Sequence, residues 1–342
     1  MKEECRMSVA KPRRSRALTI ALVFVGLLSF VGVVAADDYW KGTPPVTELS
    51  GVVNGGVDVL FADTWTATGD VTDWSKQKTW GNLTFSLPEN ATLKFARLYV
   101  VPYCGSMTAD YYGNMTVKLY NGNTPNTTLV DSQSLNLKYI NTSGANYTSV
   151  SAPMVNLSRV TSDYVAIFDV RDNLAGWSGS NLNVSLTSYN LTGRFDGRFK
   201  ETKLVYGWNV TSGSTGDTKY WVNDGHDPIT KKIGTYTDNK TVFSGVSLPG
   251  TYTANLWVDL VAGNSTSGPG YGKYWWDGSS FEQNISVDSS YSPTVEQGKY
   301  AGLNKWTWTN RDNPGLQNGS NTLKYSRTND YYKIISSVLT IR

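Results

Sequence analysis

Along this chain apolar and polar residues alternate in short runs. Ala96, Leu98 and Val100 share one parity, as do Met115, Val117 and Leu119; Leu182, Val184 and Leu186; Leu256, Val258 and Leu260; and Leu323 with Tyr325. A period of two places such residues on one side of a β-strand, so the pattern predicts strands with one buried face. After Ala36 no 3.6-residue stripe lasts beyond two turns. Gly, Asn, Asp and Pro interrupt the runs at short intervals, which predicts an all-β sandwich joined by turns. Val59 to Trp65 reads as an edge or lead-in strand, 123–147 as a decorated hairpin or long loop, Lys203 to Trp208 as a strand, and Ser336 to Arg342 as the last strand.

The pattern also repeats. Arg171-Asp172-Asn173, five residues, then Gly179-Ser180-Asn181 returns as Arg311-Asp312-Asn313, five residues, then Gly319-Ser320-Asn321. Upstream, Leu87-Pro88, Ala96-Arg97-Leu98-Tyr99-Val100 and Gly105 are matched in order by Leu248-Pro249, Ala254-Asn255-Leu256-Trp257-Val258 and Gly263. Asn121-Gly122 finds its counterpart in Asp277-Gly278. Landmarks kept in one order argue for a duplicated unit, hence two tandem sandwiches. The expected division is a signal peptide at 1–36, a linker at 37–51, a first sandwich at 52–232 and a shorter second one at 233–342. The segment 195–227 has no evident partner in the second unit. The repeated Asp, Asn and Gly-Ser-Asn are residues that turn a chain at a sandwich rim, and this accounts for their types.

Ahead of the strands stands a different signal. Lys11, Arg13, Arg14 and Arg16 precede an uncharged, mostly apolar run, Ala17 to Ala36, ending Val34-Ala35-Ala36. This is the form of a secretory leader, cleaved after Ala36, and the run is also about long enough to stay as a membrane anchor. Either way the following chain is exported. Removing the leader's six basic and two acidic residues from the 31 and 28 of the whole chain leaves 25 and 26, near neutrality. No basic patch then points to nucleic acid. A membrane is expected to be touched only through an uncleaved N-terminal segment.

Two further counts bear on compartment. Cys5 lies in the leader and Cys104 stands alone, so no disulfide forms within one mature chain and Cys104 is expected as a buried thiol. Acceptor triplets for N-glycosylation start at Asn82, Asn90, Asn114, Asn126, Asn141, Asn146, Asn156, Asn183, Asn190, Asn209, Asn239, Asn264, Asn284 and Asn318. Roughly six would arise by chance at this Ser and Thr content, so the excess fits an exported, glycosylated surface.

Two resemblances follow from these residues. Ala96-x-Leu98-x-Val100, the run Val117 to Gly122, Phe168-Asp169-Val170 and the Gly-x-Asn turn are together similar to the galactose-binding-like jelly roll found beside many glycosidase domains. That likeness implies a jelly-roll form for each sandwich and carbohydrate as an analogous ligand class. Phe195-Asp196-Gly197-Arg198, a strand, then Tyr220-Trp221-x-Asn223-Asp224-Gly225-His226 resembles an uncharacterised family of secreted and cell-surface proteins of methanogenic archaea. This second likeness implies an exported surface protein and carries no activity with it.

Catalytic constellations are sparse. His226 is the only histidine, which excludes a multi-histidine zinc site, and its place after Asn-Asp-Gly predicts an exposed or locally bonded imidazole at a turn. Glycoside hydrolysis needs two carboxyl groups about 5 to 10 Å apart, and no pair stands out. Asp224 with Asp227, or Asp169 with Asp172, offers the oxygen ligands calcium takes, but neither spacing is that of an EF-hand; no other cofactor is expected. Tyr274-Trp275-Trp276 and Trp306-Thr307-Trp308 place indoles on both faces of a strand, making Trp275, Trp276 and Trp308 candidates to stack on sugars. The resulting expectation is a non-catalytic envelope protein acting in adhesion or surface structure, with envelope components or glycans as partners. A carbohydrate-binding module is the alternative, and a polysaccharide-cleaving enzyme the third reading.

Overall fold

Alternating β-branched and aromatic residues suit a pleated surface, and every regular element described is a strand. The computed structural model describes residues 42–342 except 64–77, 81–82, 84, 106–108, 122–127, 141–143, 150–153, 176–181, 212–215, 230–237, 263–271, 277–281, 286–300, 310–315 and 328–331. The leader expected at 1–36 and much of the repeated Arg-Asp-Asn signature fall outside these residues.

In chain order the strands are β1 (Thr43–Val53), β2 (Gly56–Asp63), β3 (Lys78–Trp80), β4 (Ala91–Tyr103), β5 (Tyr111–Asn121) and β6 (Thr128–Ile140). Then come β7 (Gly144–Ser149), β8 (Met154–Val160), β9 (Asp163–Asp169), β10 (Leu182–Gly193), β11 (Arg198–Val210), β12 (Thr218–Ile229) and β13 (Asp238–Val246). The last are β14 (Thr253–Ala262), β15 (Gly272–Trp276), β16 (Glu282–Ile285), β17 (Ala301–Thr309), β18 (Gly319–Arg327) and β19 (Tyr332–Ile341).

They form four sheets, ordered β3-β10-β5-β6-β7, β2-β11-β4-β9-β8, β1-β12-β19-β14-β17 and β13-β18-β15-β16. Three apolar clusters stack the sheets in that sequence. Leu98, Val117, Leu186 and Leu204 join the first to the second; Tyr99, Val205, Trp257 and Val338 join the second to the third; Leu256, Trp276, Leu323 and Leu339 join the third to the fourth. The four sheets thus stack in layers, the second and third forming the inner pair and the first and fourth the outer sheets, so that each outer sheet and its inner neighbour make one half.

The strand orders of the halves correspond position by position. The inner sheets match as β2-β11-β4-β9 and β12-β19-β14-β17, and the outer sheets as β3-β10-β5-β6 and β13-β18-β15-β16. Pairing register agrees at the shared Ala-x-Leu motif: Leu98 faces Leu204 across β4 and β11, and Leu256 faces Leu339 across β14 and β19. Among the described residues, strands β1, β7 and β8 have no counterpart.

Four expectations change. Residues expected in the linker form most of β1, which pairs antiparallel with β12; Thr47 Oγ1 on β1 donates to Asn223 Oδ1 on β12 (2.7 Å), and Asn223 Nδ2 donates to Thr241 Oγ1 on β13 (2.7 Å). β12, expected in the first unit, hydrogen-bonds to β19 and occupies the place that β2 holds in the other half. The segment 195–227 therefore does have a partner, since β11 and β19 are equivalent. Finally, the inner strands bury both faces: on β4, Leu98 points to the outer sheet while Tyr99 packs between the inner ones.

Turn chemistry holds where it is visible. Asn321 accepts from Gln317 N (2.9 Å) and donates back to Gln317 O (2.8 Å), while Gly319 takes φ +98°. Asp169 accepts the Arg171 amide at 3.0 Å. Asn-Asp-Gly-His, however, is no turn. It lies inside β12 at a bulge between Asp224 and Asp227, and a Cβ on Gly225 would come within 2.6 Å of Thr43 O and Pro45 N. Gly225 lets β1 approach, so Gly225→Ala is expected to cost about 1–3 kcal/mol by overpacking. Gly250→Ala, with nothing near its Cβ, serves as the neutral control in the same urea titration.

Candidate functional site

Where the inner sheets face each other, the interleaved positions that alternation assigned to solvent carry charge. From one sheet come Arg97 and Tyr99 on β4, Ser158 on β8, Asp163 on β9, and Lys200, Glu201 and Lys203 on β11. From the other come Asp224 and His226 on β12, Asp259 on β14, and Lys333 and Ser336 on β19. The four carboxylates, Asp163, Glu201, Asp224 and Asp259, are at most 4% exposed.

Burial of a lone ion is prohibitive, and the layer answers with pairs. Asp163 holds two ammonium groups, Lys200 at 2.8 Å and Lys333 on its other oxygen. Lys203 pairs with Asp259, donates to Ser336 Oγ (2.6 Å), and lies 3.9 Å from Glu201 and 4.0 Å from the Tyr99 ring centre. Arg97 and Tyr99 both donate to Asp224. Ser158 Oγ and His226 Nδ1 are 3.0 Å apart. Arg97, Lys200, Lys203 and Lys333 thus face four carboxylates, and the charges balance.

Ionisation follows from these contacts. Burial alone would raise the Asp163 carboxyl, but Lys200 and Lys333 outweigh it and hold the group at about 2. Burial raises Asp224, against the opposing pull of Arg97. Burial pushes His226 down to about 3, with Lys333 and Lys200 acting in the same sense, so the imidazole is neutral. Asp227 sits across the strand, accepts from Tyr325 OH (2.7 Å), and is raised by burial to about 6.

The expected site residues are scattered. Trp276 is fully buried, its ring 4.9 Å from Trp308 and 5.9 Å from Phe243. Trp308 is 6% exposed in the same core, so neither indole presents a face to a sugar. The side chain of Trp275 lies outside the described residues. Asp224 and Asp227 point to opposite sides of β12 and do not converge on a cation, and Asp172 pairs with Arg171 at 2.7 Å. No cluster of three metal-ligating residues occurs among the described residues. His226, expected at a turn as an exposed or locally bonded imidazole, is 1% exposed within a strand. Cys104 is buried, its thiol donating to Ser162 O at 3.0 Å.

Among the acceptor asparagines, Asn90, Asn156 and Asn318 are exposed. Asn183 is only 7% exposed on β10, where a glycan would have to displace packed neighbours. The Asn114 amide already donates to Ser134 Oγ, Leu135 O and Asn136 Oδ1. Asn190 donates to Gly193 O, Asn209 accepts from Asn54 N, and Asn239 is half-buried. Asn82, Asn126, Asn141 and Asn264, with the side chains of Asn146 and Asn284, are outside the described residues.

The polar layer escaped strand-by-strand reading because a charged residue at alternate positions looks like a solvent face. One signal was present. Strand Asp163–Asp169 holds an unbroken apolar run, Tyr164 to Phe168, as two-sided burial requires.

A profile of the family described as "Protein of unknown function (DUF3344)" matches residues 39–342. No curated protein matches the chain significantly. Among solved structures, PNGase F, a glycosylasparaginase from Flavobacterium meningosepticum, is 13% identical, covering 84% of this chain and 96% of its own at a TM-score of 0.26. A Parabacteroides distasonis protein, provisionally described as secreted, is 9% identical, covering 86% and 92% at a TM-score of 0.26.

Two outcomes follow from the layer. Asp163→Asn strands two buried ammonium groups and is expected to cost about 3–5 kcal/mol in urea unfolding. His226 binds its proton in the unfolded chain near pH 6.5 but in the folded one only near 3, so its contribution is present above 6.5 and lost as pH falls toward 3. His226→Gln should flatten that slope. Comparing the variant with the wild type separates it from Asp227, whose raised carboxyl costs stability as pH rises from about 4 to 6.

Proposed function

We propose that this chain, which belongs to the DUF3344 family of unknown function, is an exported, non-catalytic envelope protein acting in adhesion or surface structure. The observation that carries this reading is the enclosure of the charged layer. The densest group of titratable side chains among the described residues is spent on internal pairs between two sheets, where no polymeric substrate enters. Its role in this reading is to join two rigid bodies.

Export rests on the basic cluster and apolar run ahead of residue 37 and on the number of acceptor asparagines. Duplication of a jelly-roll-like unit is supported by the matching strand orders of the two halves. Stacked sandwiches suit presentation, since rims and outer sheets can vary without touching the cores. Sugar binding through Trp276 or Trp308 is not favoured, because both indoles fill a core. Glycans or other envelope components remain the partners proposed, and no cofactor is invoked.

Fractionation of the native cells tests the reading. The protein is expected in the envelope or the medium, with glycopeptides at Asn90, Asn156 or Asn318. Recovery only from the cytosol, unmodified, would overturn it.

A further inference from the structure

The Lys203 and Asp259 pair differs from its neighbours in a way that points to covalent chemistry. Asp163 is shared by two ammonium groups and held as a carboxylate, and Asp224 is bound by a guanidinium that cannot act as a nucleophile. Asp259 instead meets one primary amine, on the facing strand, and both side chains are 1% exposed. A third group stands beside them. Glu201, two residues before Lys203 on the same face of β11, brings a buried carboxyl to 3.9 Å of Nζ. The Tyr99 ring, Val205, Trp257 and Val261, all buried, complete the surround.

An amine, a carboxyl and a second carboxyl enclosed together hold the parts of an amide condensation. We infer that Lys203 and Asp259 are joined by an isopeptide bond, with Glu201 as the proton carrier. Proton transfer from the ammonium to the carboxylate yields amine and acid, relieving the cost of two buried ions. The Nζ lone pair attacks Cγ of Asp259, forming C–N. Glu201 takes a proton from nitrogen and delivers it to the departing hydroxyl, the C–O bond breaks, and one water leaves. Nothing is oxidised or reduced and no co-reactant is needed. Proximity supplies the drive that the same groups lack in solution.

The bond would tie β11 of one sandwich to β14 of the other, across 56 residues of chain. It turns a packed interface into a covalent one and makes separation of the halves impossible without breaking an amide. This inference does not rest on the proposed location.

Denaturation of the purified full chain from a bacterial host, trypsin digestion and mass spectrometry test it. The expected product is a branched peptide joining residues 201–219, uncut at Lys203, to residues 241–273, lighter than their sum by one water. Lys333 and Asp163 should stay unlinked as the internal control. Asp259→Ala should abolish the branch, and Glu201→Gln should slow its formation about a hundredfold, the lower end for a lost acid–base group. Asp259→Asn should restore a branch of identical mass, since ammonia leaves in place of water; a merely structural ion pair gives no such product. Cleavage after Lys203 in folded wild-type protein, with peptide 241–273 unmodified, would overturn the bond, and an undiminished branch in Glu201→Gln would overturn the role of Glu201.

Discussion

Everything in this molecule is arranged around the need to neutralise charge in a dry interface. Two five-stranded sheets meet face to face, and each brings cations and anions that water would otherwise hold. Asp163 between Lys200 and Lys333, Asp259 against Lys203, and Asp224 beneath Arg97 and Tyr99 satisfy one another across the gap. Such pairs return little net stability over a well-packed apolar alternative. What they do enforce is alignment, because a shift of one sheet by a single residue would leave several ions unpaired in a low dielectric. Apolar contacts such as Trp257 with Val338 and Val205 supply the area, and the charges choose the register.

This division of labour bears on function. Sites that process substrates need groups that are reachable and poised to change ionisation. The groups here are enclosed, and Asp163 is driven toward one fixed state by its two partners. His226, the residue around which any histidine chemistry would have to be built, is neutral and shares its Nδ1 with Ser158. Turns at Asn90 and Asn318 and the edge strand β8 at Asn156 are exposed and left for contact with surroundings. Ionic groups turned inward and acceptor asparagines left at the surface accord with the proposed role of holding a shape outside the cell.

Reading residues one by one worked where the cause was local. Gln317 to Asn321 turns as its amides and glycine dictate, and the strands β4, β10 and β14 sit where alternation placed them. It failed where two segments far apart decide a residue's surroundings. Asn223-Asp224-Gly225-His226 has the composition of a turn, yet β1 pairs along it and Gly225 makes room for Thr43 and Pro45. Trp276 and Trp308, which alternation allowed to face either way, meet each other and Phe243 in one core.

By itself the sequence determined the strand content, the placement of most strands and the repeat of landmarks in two halves, because each follows from side-chain periodicity and turn chemistry within a few residues. Only the tertiary structure decided that the inner sheets stack on each other. That single choice reverses the meaning of the polar positions on β4, β11, β14 and β19, for a charge that alternation assigns to water becomes buried once a second sheet covers it, and must then find its opposite there.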